Sequence, residues 1–397
     1  MNGLGAALVA TTGAQVLATL AVYLLPVLAP IAARDLGVGP ELVGTQVAVI
    51  YAAAAITSIV SGGLLRRQGP ARCTQLALLL CAAGSVALGL GGLPGAALGA
   101  VLLGIGYGLT TPAATQVLTR LTPAPRRNLV FAVKQMGVPL GGTLAGLLMP
   151  ALALALGWRN GALIVALLLL LAVAALMPFR AAWDAGRGAG PGGKAALGTL
   201  SVLRAGRGLV AIAVMGALFS ATQLSLGAFA VTMLVGEFGW SPVAAGAAAA
   251  AVQASGAVSR IAWAVLADRL RAGLPMLAVI GLGTGAAALA MPFALGWPDA
   301  AVLLLLCLFG TCANGWTGIA MAEVARLAPH GAAGAAAGGV MGLTYVGVVV
   351  GPMAFGALAL LLGGYTAAFA LVAALPLLGA AIALWTHRLL SGPPAAS

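Results

Sequence analysis

Residues 180–207 read RAAWDAGRGAGPGGKAALGTLSVLRAGR, and this stretch divides the chain in two. It is the longest polar run, with Gly188, Gly190, Pro191, Gly192 and Gly193 at its centre. That composition is expected of a flexible linker. Outward from it, six apolar runs lie on each side. On the amino-terminal side they fall near 6–32, 42–65, 74–92, 97–118, 129–156 and 161–179. On the other side they fall near 209–234, 243–267, 275–295, 301–325, 332–361 and 366–386. A helix needs about 20 apolar residues to cross a hydrocarbon core of roughly 30 Å, and these runs meet that length. Backbone polar groups cannot be left unpaired in hydrocarbon, so each run is expected to be helical. The expected fold class is an all-α integral membrane protein with twelve transmembrane helices in two halves, 1–179 and 209–397, joined by a cytoplasmic linker at 180–208.

Composition supports the membrane assignment. The 397 residues are 62% hydrophobic and 7% charged, with a mean hydropathy of +1.11. A soluble domain carries roughly 25% charged residues, so a water-soluble fold is excluded. The net charge of +12 does not indicate a nucleic-acid partner, because the basic residues sit in short loops rather than on one face among aromatic platforms. Cys73, Cys81, Cys307 and Cys312 show neither a disulfide framework nor metal-ligand spacing with His330 and His387, and no metal or other cofactor is expected. The first apolar run is too long for a signal-peptide core and has no basic segment before it, so it is expected to stay in place.

Orientation follows the retention of Lys and Arg on the cytoplasmic side. With the amino terminus inside, the cytoplasmic loops hold Arg66, Arg67, Arg72, Arg120, Arg126, Arg127, Arg180, Arg187, Lys194, Arg204, Arg207, Arg269, Arg271, Arg326 and Arg388. Only Arg34 and Arg159 fall on the other side. Both termini are therefore expected in the cytoplasm. Only 2 of the 19 basic residues are Lys, and Ala, Gly and Leu abound; this is the codon bias of a GC-rich bacterial genome, which points to a bacterial inner membrane.

The halves also match in sequence. An offset of 202 places Gly37 on Gly239, Pro40 on Pro242, Gly44 on Gly246 and Arg67 on Arg269. An offset of 210 places Gly137, Gly141 and Gly146 of segment 5 on Gly347, Gly351 and Gly356 of segment 11. The loop after segment 2 reads Gly62-Gly63-Leu64-Leu65-Arg66-Arg67-Gln68-Gly69-Pro70-Ala71-Arg72, and the corresponding stretch of the second half, Ala264 to Arg269, ends in Asp268-Arg269. On these features the chain resembles the major facilitator superfamily over nearly its whole length. That family has Gly, then Asp-Arg, then Gly and basic residues in this loop; Arg66 stands here in place of the Asp. The resemblance implies two pseudo-symmetric halves, alternating access and a substrate site near the midplane. It also implies a gating role for Asp268, Arg269 and Arg67, with Asp268 facing the start of segment 5 near Arg126 and Arg127. Gly137, Pro139, Gly351 and Pro352 are further gating candidates, since small residues permit close helix approach and proline bends a helix. Plain close packing explains them equally well.

An ionisable side chain inside a span is costly and marks a functional hypothesis. Lys134 lies in segment 5 and Arg260 in segment 8. By resemblance these segments are neighbours, so the two bases would jointly hold an anion, a carboxylate being the natural guest. By the same resemblance Arg260 pairs instead with Glu323, which is then a gating residue and a place for a co-transported proton, and snorkelling is the alternative for Lys134. Segments 1, 4 and 7 carry no Asp or Glu at all, which disfavours a cationic substrate. Polar and aromatic candidates for substrate binding are Gln15, Tyr23, Tyr107 and Gln135 in the first half, with Gln223, Asn314, Trp316, Thr344 and Tyr345 in the second. Within Cys312 to Gly318, a glycine beside Trp316 is expected to let an aromatic sit in a helix gap.

The function expected is secondary transport of a small organic anion by a monomer, coupled to a proton or a counter-anion. An exporter of neutral or amphipathic molecules is the alternative. A membrane-embedded enzyme or a sensor finds little support, because no nucleophile and base are placed together in the spans, no ATP-binding loop is present and no soluble domain is appended.

Overall fold

A computed structural model of the chain describes residues 3–122, 130, 133–185, 206–328 and 333–391. Arg126, Arg127, Arg187, Lys194, Arg204 and His330 lie outside these residues, as does most of the expected linker. Among the described residues the protein is all helix and loop, and twelve helical stretches are long and apolar enough to cross a membrane. They run Leu4–Leu36, Pro40–Ser58, Pro70–Leu90, Gly92–Leu118, Val133–Leu156, Trp158–Trp183, Arg207–Gly236, Pro242–Leu270, Gly273–Ala294, Asp299–Val324, Gly339–Leu362 and Tyr365–Leu390, and are numbered as segments 1–12. Each overlaps one expected run. Many large apolar side chains on these helices, such as Leu361 and Val9, are exposed, as lipid-facing positions should be.

The chain forms two compact units, Met1–Gly193 with Leu234–Ala250, and Lys194–Met233 with Ala251–Ser397. The division at Gly193 falls inside the glycine-rich stretch. In the first unit, Ala18, Leu24 and Leu28 of segment 1 are fully buried among segments 3, 4, 5 and 6. Glycine sets how closely these helices approach. A Cβ on Gly141 would sit 2.4 Å from the Val16 carbonyl oxygen, and one on Gly108 the same distance from that of Ala54. In the second unit a Cβ on Gly347 would stand 1.8 Å from the Ala217 carbonyl oxygen, and one on Gly351 would be 2.4 Å from the Ala221 Cα. Segments 5 and 1 therefore meet through glycine, as do segments 11 and 7.

Prolines inside helices remove an N–H from the hydrogen-bond ladder and leave the carbonyl four residues earlier unpaired. Pro112 in segment 4 does this to Gly108, and the Ser58 hydroxyl donates to that carbonyl at 2.7 Å. Pro139 sits in the first turn of the helix Gly137–Leu156, where its missing N–H costs little. A turn at Met136 precedes it, and because residue 139 has no N–H the Gln135 carbonyl lacks its usual helical donor.

At the end where segments 3 and 6 meet, the Asp184 carboxylate accepts from the Ala71 backbone N–H at 2.8 Å, on the first turn of segment 3. Arg72 lies 4.0 Å from its other oxygen, and Arg120 donates to the Trp183 carbonyl. At the opposite end Asp35 accepts from Trp158 Nε1 and Arg159, tying segment 1 to segment 6.

Candidate functional site: a buried lysine and a broken helix

Lys134 is 2% exposed, and its Nζ donates to three oxygens from three helices. They are Gln15 Oε1 at 3.0 Å, Thr111 Oγ1 at 2.9 Å and Gln135 Oε1 at 3.1 Å. An ammonium group has three donors, so all are used. None of the acceptors is charged. Gln15, 1% exposed, is the hub: its Oε1 also lies 3.0 Å from the Thr110 hydroxyl, and its Nε2 donates to Thr19 Oγ1 at 3.3 Å. A Cβ on Gly137 would be 2.8 Å from the Gln15 Cβ, so the glycine is what lets segment 5 lie on this glutamine.

The depth of the cluster follows from its partners. Gln15 stands eleven residues after Leu4, roughly 16 Å along segment 1 at about 1.5 Å per residue. Thr111 stands ten residues before Leu121, roughly 15 Å from that end of segment 4 by the same rise. The amine is thus about a third of the way along each of these helices, inside a hydrocarbon core of roughly 30 Å. Tyr107 packs edge-on to Tyr51 at 5.9 Å between ring centroids, one turn from Thr110 and Thr111. Tyr23, on the same helix as Gln15, is half-buried.

The second unit holds an uncharged polar chain around a break in segment 10. The first part of that segment ends at Ala313 and the second begins at Trp316, with Asn314 and Gly315 between. Trp316 Nε1 donates to Gln223 Oε1 at 2.9 Å, and Gln223 Nε2 donates to Asn314 Oδ1 at 2.9 Å. Asn314 Nδ2 donates to the Gly310 carbonyl at 2.9 Å, closing the chain on the helix end. Arg260 Nε donates to the Asn314 carbonyl at 3.1 Å. Glu323, the sequence-based partner for Arg260, accepts from Arg326 at 2.6 Å. The Thr344 hydroxyl is buried with no hydrogen-bond partner among the described residues and faces Gly216, against which the Trp316 ring also packs. Tyr345 is half-buried beside it.

The aromatic that fits the glycine of this break is Trp263 rather than Trp316. A Cβ on Gly315 would lie 2.2 Å from Trp263 Cδ1, and Trp263 Nε1 donates to the Thr311 carbonyl at 3.0 Å. Thr110, Thr111 and Trp263 were not legible as site residues. The tandem threonines preceding Pro112 offered the one available signal, since a proline next to paired hydroxyls marks an irregular polar stretch in an otherwise apolar span. Among the gating candidates, Asp268 and Arg269 are exposed in the last turn of segment 8, and Arg67 is exposed near the end of the helix Val43–Gln68. Pro352 lies inside segment 11, one residue after the close contact at Gly351.

A family model described as Major Facilitator Superfamily matches residues 11–344 and 229–396. The chain belongs to the major facilitator superfamily. Solved structures share the fold of this major facilitator protein at low identity. A POT family transporter in complex with 5-aminolevulinic acid is 16% identical, with a TM-score of 0.79 over 98% of this chain and 96% of its own. A bacterial homologue of the human lysosomal transporter Spinster, inward-facing and unoccupied, is 17% identical, with a TM-score of 0.78 over 99% of each chain. A peptide transporter POT in complex with sulfate is 15% identical, with a TM-score of 0.75 over 97% of this chain and 94% of its own. Comparison with curated protein sequences gives no match. The protein is thus a multi-pass membrane member of a transporter superfamily.

Proposed function

We propose that this major facilitator protein is a secondary active transporter of a small organic carboxylate, working by alternating access of its two six-helix halves, 1–179 and 209–397. The observation that carries the reading is Lys134, buried about three turns from the helix ends on three neutral oxygens. A charge at that depth costs several kcal/mol unless something offsets it, and an anionic guest does so. Thr111 and Gln135 are exposed while Gln15 is buried, so a carboxylate can displace the first two from the amine and leave Gln15 in place. In the second unit, Gln223, Asn314, Trp316 and Tyr345 are further candidates for hydrogen bonds to a substrate, and Arg260 is a second candidate base. One POT transporter of the same fold is in complex with 5-aminolevulinic acid, which bears a carboxylate, and another is in complex with sulfate. On the distribution of arginine, the protein sits in a bacterial inner membrane with both termini in the cytoplasm, and Asp268, Arg269 and Arg67 belong to its cytoplasmic gate.

The uncharged cluster of the second unit is the observation that favours the other reading, export of neutral or amphipathic molecules. Thermal stabilisation of purified protein across carboxylates, neutral metabolites and cationic drugs separates the two. Stabilisation by a carboxylate that is lost in Lys134→Ala is the expected result; stabilisation by neutral or cationic compounds alone, unchanged in the variant, would favour the exporter.

A further inference from the structure

The chain contains seven acidic residues in all, and none is placed to neutralise Lys134. Asp35 ends segment 1 and pairs with Arg159, Glu41 sits in the short turn Pro40–Leu42, and Glu237 follows segment 7. Asp299 is the first residue of segment 10, while Asp184 caps segment 3. Asp268 is two residues from the end of its helix, roughly 3 Å at about 1.5 Å per residue. Glu323 is four residues from the end of its own, roughly 6 Å by the same rise, and is taken by Arg326. Lys134, by contrast, is held roughly 15 Å from the helix ends through Gln15 and Thr111. No carboxylate of this protein stands at that depth, so a transported anion is the available source of a counter-charge for the ammonium.

From this we infer that the protein is an exchanger, carrying one anion in for one anion out, because its empty form is held back from reorienting. The inference rests on the carboxylate reading of the Lys134 site. To change the side from which the site is reached, a carrier passes through a closed state that excludes water. A bound carboxylate makes the Lys134 site neutral during that passage. Without one, the ammonium enters the closed state with neutral oxygens alone, and those oxygens solvate it less well than water or an anion does. The loaded carrier crosses and the empty one waits. A carrier that paired its own lysine with a carboxylate of its own would return empty and drive net uptake; here no residue exists to do so.

The test needs no substrate. Cysteines replacing Pro94 and Pro298, at the starts of segments 4 and 10, carry a donor and an acceptor fluorophore in a background without Cys73, Cys81, Cys307 and Cys312. Single-molecule energy transfer then reads how long ligand-free protein in nanodiscs dwells in each state, at about pH 6 where an ordinary lysine is charged. Lys134→Gln removes the charge, and Gln15→Glu neutralises it in place, so the second variant serves if the first does not fold. Dwell times of the ligand-free wild type at least about 30-fold longer than in either variant, equal to about 2 kcal/mol at about 1.4 kcal/mol per tenfold, are expected. Dwell times equal in wild type and variants would overturn the inference. That outcome leaves the carboxylate reading to its own test, since stabilisation by carboxylates and its loss in Lys134→Ala do not depend on dwell times.

Discussion

Gln15→Glu changes one atom type at the hub of the polar cluster and keeps its shape. The wild-type Gln15 Oε1 lies 3.0 Å from Lys134 Nζ, so the substitution puts a carboxylate at ion-pair distance from the amine. At 3.0 Å and an effective dielectric of about 20 the attraction is about 5 kcal/mol. Desolvation of the new carboxylate offsets part of it, leaving roughly 2 to 3 kcal/mol. The glutamate loses the amide that donates to Thr19, but the threonine hydroxyl can rotate and donate to the carboxylate instead. A transported carboxylate must then compete with an internal one for the same ammonium. Its affinity should fall by about 100-fold, since about 1.4 kcal/mol corresponds to tenfold. Calorimetric titration with whichever carboxylate most stabilises the wild type measures this directly, and the melting temperature of the unliganded variant checks that the fold is kept. A variant that folds normally and binds the carboxylate as tightly as wild type would refute the placement of the substrate on Lys134.

Other perturbations test packing and local polarity. Gly347→Ala places a Cβ 1.8 Å from the Ala217 carbonyl oxygen, where only backbone movement gives relief, and should cost about 3 kcal/mol or more in thermal unfolding. Gly318→Ala meets nothing within 4 Å and is its control, expected within about 0.5 kcal/mol of wild type. Asp184→Asn keeps a cap on segment 3 but removes the negative charge from the helix start and from beside Arg72, and should lower stability by about 1 kcal/mol in denaturation of the detergent-solubilised protein. Gln223→Leu leaves Trp316 Nε1 and Asn314 Oδ1 without their partner at once. It should cost about 1 to 3 kcal/mol per orphaned group and shift tryptophan emission.

The twelve spans were legible because length and apolarity decide them: a bilayer sets one dimension, and twelve runs near that dimension stand out of the sequence. Lys134 was legible for the same reason, as a charge where charges are expensive. Its partners were not. Gln15 and Thr111 are 119 and 23 residues away, and nothing in a local pattern says which helix face will meet which. The glycine of segment 10 was recognised as a place for a ring, yet the ring that fills it comes from segment 8, because Trp316 is carried by the helix itself onto Gly216. Resemblance pairs Glu323 with Arg260 on another helix, while Arg326, three residues along the same helix, takes the carboxylate. Asp184 looked like one more polar residue of a linker, and its role as a cap appears only once segments 3 and 6 are brought together.

The break at Asn314 also changes how a charge can be held in this protein. Where a helix stops, its last carbonyls have no N–H partners and together behave as roughly half a negative charge. Segment 10 ends its first part inside the membrane and turns that end toward Arg260, which takes up the Asn314 carbonyl. Part of the counter-charge for the guanidinium is therefore peptide backbone. A peptide dipole does not take up protons in the physiological range and cannot be removed by changing one side chain. Between mild acid and mild alkali this attachment should keep the same strength, and among related chains it can persist while the residue at position 314 itself varies.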